Sequence, residues 1–493
     1  MIFSGLALGA VLGFVMQRGR FCVTGMIRDI FTQKSWRGFN ALLIVIAVHA
    51  VGLAALGSLG VIHAEADTFA PLAVIVGGLL FGMGIILAGG CASGTWYRSG
   101  EGLVGSWIAL AMYALSAAAM KAGILSGFST SMKSWTLQDT SLNGTLGISI
   151  WWLVVPFAAL VSYLTYRFLK KEQATPQLAQ LKPQKAGLAH VLAEKPWHVY
   201  TTAAIVGIIG VIAWPLSAAT GRNSGLGITT PTSDVLRFLT TGDSARLNWG
   251  TLLVLGLLAG SFVAAKASGE FRVRVPDATQ VIRSIAGGGL MGIGAVLAGG
   301  CTVGNGMVQT SLFGYQGWVA LLFIAMGVWI GAKLWLKPTE FASAGSEPVE
   351  GTSTTPRSGA PARTDATDSL PATPSINFDV APAGVMGGSG VGLLTPQREA
   401  VGAQTAVKNV SGLRTVGEHQ YALDTLGSVC PFPLIEAKDA MTQLDHGDEL
   451  VIEFDCTQAT DSIPRWAAED GHEVTNFEAT GDAGWTITVK KGS

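Results

Sequence analysis

The sequence predicts an α-helical polytopic membrane protein of about nine spans, with re-entrant half-helices and an internal pseudo-repeat, followed by a C-terminal α/β two-layer sandwich. Three observations predict it. Of the 493 residues, 49% are hydrophobic and only 13% charged, about half the charge of an ordinary soluble domain. A glycine-rich segment ending in Gly-Gly-Cys occurs twice, as Gly82–Cys91 and as Gly292–Cys301. The final stretch abandons long apolar runs for short alternating and helical patterns.

Nine hydrophobic runs are candidate spans: Met1–Met16, Asn40–Ile62, Pro71–Ala88, Leu103–Met120, Gly147–Leu169, Tyr200–Ser217, Gly250–Ala267, Val281–Ala298 and Gly317–Leu336. A spanning helix needs about 20 apolar residues, so the short first and sixth runs are also candidate half-helices. Lysine and arginine set the orientation. With the N-terminus outside, the inside loops carry 15 of them, including Arg18, Arg20, Arg28, Arg98 and Arg274, and the outside loops carry 5. Nine spans then leave the C-terminus in the cytoplasm of a cell whose inner membrane holds the body.

Three regions differ in charge. The transport body, residues 1–340, carries a net +11; residues 341–410, rich in Gly, Pro, Ser, Thr and Ala, carry −2; residues 411–493 carry −10. The middle region reads as a flexible linker with a typical reach of about 45–50 Å. The acidic tail domain is either drawn electrostatically onto the basic cytoplasmic loops or acidic for solubility while those loops fix topology. In the tail, Gln420–Asp424, Glu449–Phe454, Val474–Glu478 and Trp485–Lys490 read as strands, and Pro431–Leu444 and Ser462–Glu469 as helices.

The chemistry rests on cysteine. Five are present, odd in number and scattered, which argues against a disulfide framework. Cys430 stands before Pro431-Phe432-Pro433. A proline suits the first turn of a helix, which places the thiol where the helix dipole and unpaired N–H groups favour a thiolate. Together with Leu423, Asp424, Gly427, Asp461, Ile463, Pro464 and Trp466, this Cys-Pro-x-Pro start resembles the TusA-like sulfur-carrier family. The resemblance covers nearly all of 411–493. It implies that Cys430 is the catalytic residue and carries sulfur as a persulfide. Cys456 is open to two readings, a resolving thiol or a buried packing residue.

In the body, the glycines around Gly90 and Gly300 permit close helix contact or a sharp break. Duplication, and polar residues after each cysteine, favour a binding site at such breaks. Cys22 lies in Arg20-Phe21-Cys22. Gly269-Glu270-Phe271-Arg272 is its weak echo in the second half, without the cysteine. Arg20, Cys22, Ala88–Cys91 and Ala298–Cys301 together resemble the YeeE/YedE family of thiosulfate transporters over Met1 to about Pro338. The resemblance implies an anion path with thiols Cys22, Cys91 and Cys301 at successive depths, served by a TusA-like partner, here fused. The chemistry fits independently. Thiosulfate has one soft terminal sulfur that an S–H donor can meet, and oxygens that helix-end N–H groups can hold.

The expected function is thiosulfate uptake, with Cys430 accepting or cleaving the sulfane sulfur and passing it to downstream acceptors. The alternatives are transport of another sulfur or selenium oxyanion, or a membrane-anchored sulfurtransferase. The expected partners are thiosulfate, membrane lipid and the chain's own tail docked on the cytoplasmic face. No nucleic-acid surface, phosphate loop or cofactor motif is found, and the seven histidines lack metal-ligand spacing.

Overall fold

In this computed structural model the described residues are 2–138, 140–174, 179–181, 185–336, 413–428, 430–481 and 483–492. The expected linker, 341–410, lies outside them. Among the described residues, nine segments are long and apolar enough to cross a membrane. The helices of the body are Phe3–Arg18 (α1), Val23–Thr32 (α2), Arg37–Ser58 (α3), Pro71–Leu87 (α4), Ala92–Gly100 (α5), Val104–Ala122 (α6), Trp151–Ala174 (α7), Val199–Ala218 (α8), Thr229–Thr241 (α9), Trp249–Ser268 (α10), Ala278–Leu297 (α11) and Tyr315–Trp335 (α12). The chain is a multi-pass membrane protein. The sixth run is not a half-helix: α8 is a full 20-residue span. The first run becomes α1, and a separate short helix, α2, follows it.

Packing reveals how the halves relate. Gly9 and Gly13 of α1 face Leu253 and Leu257 of α10, so these helices run parallel. Gly77 and Gly84 of α4 face Ala298 and Met291 in or just past α11, so that pair runs antiparallel. Contacts repeat in kind: α1 on α10 matches α8 on α3, α4 on α12 matches α11 on α6, and α2 on α3 matches α9 on α10. Block α1–α6 therefore corresponds to block α8–α12, inverted across the membrane, as in many transporters. The odd span α7 between them reverses the second block. The sequence echo at Gly269–Arg272 was misplaced. The counterpart of α1-Gly19-Arg20 is α8-Gly221-Arg222, because α8 and α9 occupy the places that α1 and α2 occupy in the first block.

Small residues let these backbones touch. A side chain at Gly13 would stand 2.8 Å from the Leu257 carbonyl carbon and 2.9 Å from its Cα. Neither backbone can yield without separating the helices. Gly13→Val is expected to destabilise the body by about 3 kcal/mol, the upper end for overpacking. Thermal unfolding in detergent measures this; an unchanged midpoint would contradict the packing.

The tail forms a five-stranded sheet of order β1-β2-β3-β5-β4, with Leu413–Gly417 (β1), Gln420–Asp424 (β2), Glu449–Phe454 (β3), Glu473–Gly481 (β4) and Gly484–Lys490 (β5). Only β2 and β3 pair in parallel. Helices Phe432–Gln443 (α13) and Ala459–Glu469 (α14) complete it. Its core gathers Leu434, Ala437, Met441, Leu450, Ile452, Ile463, Trp466 and Ile487. Strand β1 escaped the sequence reading because four of its five residues are exposed and leave no buried alternation. Helix α14 begins three residues before Ser462, so Pro464 lies inside it.

Candidate functional site

Each Gly-Gly-Cys motif ends a helix in the same way. After Leu87 and Leu297 the chain turns through Gly89 (φ 70°) and Gly299 (φ 78°), a left-handed conformation that stops helices and suits glycine. The backbone bonds match: Ala88 N–H donates to Gly84 O and Ala298 N–H to Gly294 O, both at 2.9 Å. Thr95 N–H donates to Cys91 O and Asn305 N–H to Cys301 O, both at 2.8 Å. Side chains then hold the turns. Arg98 donates to Gly89 O, and Asn305 Nδ2 donates to Ala298 O and Gly300 O, each at 2.9 Å. Gln316 Nε2 braces Asn305 Oδ1 at 2.9 Å.

These breaks are re-entrant. Ile86 and Leu87 share a cavity wall with Gln280 and Arg283 at the start of α11. Ten residues on, a side chain at Gly100 would meet Ser261 and Phe262 near the end of α10, and Gly102 faces Arg272. The chain thus leaves and rejoins one face, with Cys91 at the inward turn. Cys301 is approached from the other face: Leu297 packs among Leu125 and Met132, and Phe313–Tyr315 bond to Thr140 and Leu142. Unpaired backbone at this depth is tolerated where it lines a protected space.

Cys22 is the N-cap residue of α2 and Cys91 that of α5, and the Cys91 sulfur shares a hydrogen bond with the Ser93 hydroxyl at 3.5 Å. A β-carbon placed on Gly94 would stand 3.4 Å from the Cys91 sulfur and 3.6 Å from the Cys22 sulfur, so these two thiols share one pocket wall. Cys22, Cys91 and Cys301 are 4%, 0% and 1% exposed, so none faces lipid. Tyr113 lies within electrostatic range of both Cys91 and Cys301. Its hydroxyl donates to Thr229 Oγ1 at 2.8 Å, and Trp96 Nε1 donates to Thr232 Oγ1 at 2.9 Å. Helix α9 is thereby fastened to the first block. Three hydroxyls here, on Thr24, Ser233 and Thr302, are buried without a hydrogen-bond partner, and a buried polar group in that state calls for a ligand or water.

Arg20 adopts φ 47°, a left-handed conformation that costs energy for a non-glycine residue. It follows Gly19, where any side chain would strike Thr202. Arg20 pairs with Glu270 at 3.1 Å and also donates to Thr460 Oγ1 of the tail. Arg20, Cys22, Arg28 and Arg37 line a cavity of about 1110 Å³ together with Cys430, Gln458 and Thr460. Around it, Arg274 Nε lies 3.4 Å from Asp455 Oδ2, Arg465 Nη1 lies 3.5 Å from Glu172 Oε1, and Gln458 Nε2 donates to the Tyr97 hydroxyl at 3.4 Å.

Cys430, just before α13, is 6% exposed and is joined by a disulfide to Cys456, their Cα atoms 6.2 Å apart. The sequence argued against a disulfide framework and left Cys456 open as a resolving thiol or a packing residue; here it pairs with Cys430. The end of β3 reaches the start of α13 only once the sheet forms, so their 26-residue separation carried no signal. Sequence reasoning also missed Tyr113, Thr229 and Thr232, while Asn305 was among the polar residues it noted after the second cysteine. The run Thr229-Thr230-Pro231-Thr232-Ser233 was the available clue.

Comparison with known proteins agrees with this architecture. Residues 18–330 match the family model described as Sulphur transport, and residues 421–491 match Sulfurtransferase TusA. The chain is 50% identical over 334 residues to the thiosulfate transporter TsuA of Escherichia coli K12, covering 68% of this chain and 94% of that protein. It is 32% identical over 348 residues to TsuA of Spirochaeta thermophila, covering 67% and 97%. Its tail is 64% identical over 69 residues to the putative sulfur carrier protein TsuB of E. coli K12, covering 14% of this chain and 92% of that protein. With duplicated thiol-bearing breaks in its membrane body and a TusA domain after it, the chain belongs to the sulphur-transport (YeeE/YedE) family and carries its own sulfur-carrier domain.

Proposed function

We propose that this protein imports thiosulfate across the bacterial cytoplasmic membrane and delivers it to its own tail. One observation carries the reading: Cys22 of the body and Cys430 of the tail line the same cavity, with Arg20, Arg28 and Arg37 on its wall. The basic face is cytoplasmic by the positive-inside rule. The tail docks there through its acidic surface. The dianion enters from the opposite face, meets Cys301, then Cys91, then Cys22, and reaches the basic cavity.

At each stage a neutral S–H donates weakly to the terminal sulfur. The free hydroxyls of Thr24, Ser233 and Thr302 and the N–H groups of uncapped helix starts serve the oxygens. Weak successive sites let an ion enter and leave. Gly90 and Gly300 keep the backbone close to the passing ion.

In the tail, Cys430 thiolate attacks the terminal sulfur, the S–S bond of thiosulfate breaks, and sulfite leaves with the electron pair. Cys430 then holds a persulfide, which is passed to a downstream thiol acceptor. Cys456 serves as the resolving thiol. When it attacks Cys430, it displaces hydrosulfide, its own proton balancing the leaving group, and forms the Cys430–Cys456 disulfide. A dithiol reductant must open that bond before the next cycle.

Uptake of thiosulfate labelled in its outer sulfur tests the transport reading. Unlabelled thiosulfate is expected to abolish label uptake at tenfold excess, while sulfate, which has no soft end, leaves it nearly unchanged. Equal competition by sulfate, or by selenite, would overturn the assignment of thiosulfate.

A further inference from the structure

Where α1 ends, a buried carboxylate pair sits beside the basic cavity. Glu270 is 6% exposed and Glu101, just past the end of α5, is 2% exposed. One amide bridges them: Gln17 Nε2 donates to Glu270 Oε2 at 2.6 Å and to Glu101 Oε1 at 3.4 Å. Their roles differ. Glu270 is clamped by Arg18 at 3.4 Å and Arg20 at 3.1 Å. Glu101 has no basic nitrogen within salt-bridge distance among the described residues. Gln17 itself is fully buried, and its Oε1 has no hydrogen-bond partner. The amide that already reaches Glu101 thus offers an unused acceptor, and a protonated carboxyl is the donor it lacks.

We propose that Glu101 is a coupling site for a proton, taken up from the entry side when the dianion occupies the adjoining basic cavity and released to the cytoplasm when the dianion leaves. This rests on the transport reading above. Two neighbouring carboxylates out of water resist double ionisation. Glu270 keeps its charge, because Arg20, Arg18 and the Gln17 hydrogen bond outweigh burial and hold it below the usual range. Burial, and then the Glu270 charge, push Glu101 up to about 7, against Arg98, Arg274 and Arg20. Arg18 and Tyr97 complete the ionisable groups acting on it; Arg274 is also engaged by Asp455.

A dianion arriving beside Arg20 adds negative charge and withdraws part of the arginine's pull on Glu101. Both effects favour the proton, and by reciprocity the bound proton favours the dianion. One charge of the cargo is thereby cancelled while it occupies the cavity. The site uses the existing backbone joint: Arg272 N–H donates to Glu101 O at 3.2 Å and Arg274 N–H to Gly102 O at 3.0 Å, so the carboxyl is fixed at the hinge of the re-entrant hairpin.

The test uses the full chain in proteoliposomes, on a Cys430→Ser background that removes acid–base changes from sulfur chemistry, with the potential clamped and a pH dye in the lumen. Labelled thiosulfate uptake is expected to fall as pH rises through 7, by about tenfold per unit well above it, and lumenal acidification is expected to accompany uptake. Glu101→Gln is expected to make uptake flat between pH 6 and 8.5 (within about twofold) and to abolish acidification; Glu101→Asp restores the dependence. Uptake without acidification, or a wild-type pH profile in Glu101→Gln, would overturn the proposal. Should Glu101→Gln fail to fold, the dye signal of the parent protein decides alone. Absence of uptake at every pH would instead refute the transport reading.

Discussion

Cys430→Ser is expected to abolish sulfur retention. After exposure of the reduced protein to thiosulfate, intact-mass measurement under non-reducing conditions should show one added sulfur on a Cys456→Ser chain and none once Cys430→Ser is added to it. Sulfite release should drop at least about 100-fold. The reason is nucleophilicity: a thiolate is accessible near neutral pH at the start of a helix, whereas a serine hydroxyl there stays protonated and is a poor acceptor for sulfur. The position matters as much as the atom. Cys430 stands just ahead of α13, whose first N–H groups lack helical partners. Cys456→Ser separates the two halves of the chemistry. It should accumulate the persulfide, because nothing displaces hydrosulfide from Cys430, while sulfite release for a single turnover stays within about twofold of the parent. If the initially reduced parent protein gains neither a sulfur on Cys430 nor the Cys430–Cys456 disulfide, the sulfur-acceptor role of the tail is refuted.

Cys91→Ala and Cys301→Ala are each expected to lower thiosulfate uptake at least about tenfold, with the fold retained. Both sulfurs are buried at the turn of a re-entrant segment. Truncation to alanine removes a soft donor from that turn and leaves a gap of about one sulfur atom. Cys91→Ser should recover part of the rate, since a hydroxyl still donates but binds hard oxygen in preference to sulfur; discrimination against sulfate should then weaken. Cys22→Ala is expected to have a smaller effect, because Cys91 stands on the same wall and can still receive the ion. Near-normal uptake by both alanine variants would reduce these thiols to packing groups.

Much of this was legible in the sequence. The apolar runs announced the spans because hydropathy is enough where lipid forbids unpaired backbone. The doubled Gly-Gly-Cys announced the breaks because identical turn geometry demands identical residues at Gly89 and Gly299. Strands β2 and β3 were read to the residue, and β3 shows a clean alternation of burial along its length. What stayed hidden depends on contact between distant segments. The relation of Arg20 to Arg222 is carried by helix placement, not by flanking sequence, which differs after the shared Gly-Arg. Gln17 gave no hint of bridging Glu101 and Glu270, which lie 84 and 253 residues away. Cys456 stayed open between a resolving thiol and a packing residue until the end of β3 placed it beside Cys430.

The upside-down kinship of the two membrane blocks has a consequence for direction. A conduit made from such twins looks alike when viewed from either end, so its architecture supplies no arrow. The arrow must come from whatever is unequal at the two mouths. In the proposed function only one mouth opens toward a group that consumes the traveller: Cys430 and Cys22 line one cavity, while the far end offers Arg222, which interacts with Ser217 and the Trp249 ring. On that proposal, chemistry at one threshold rectifies a passage that would otherwise run both ways.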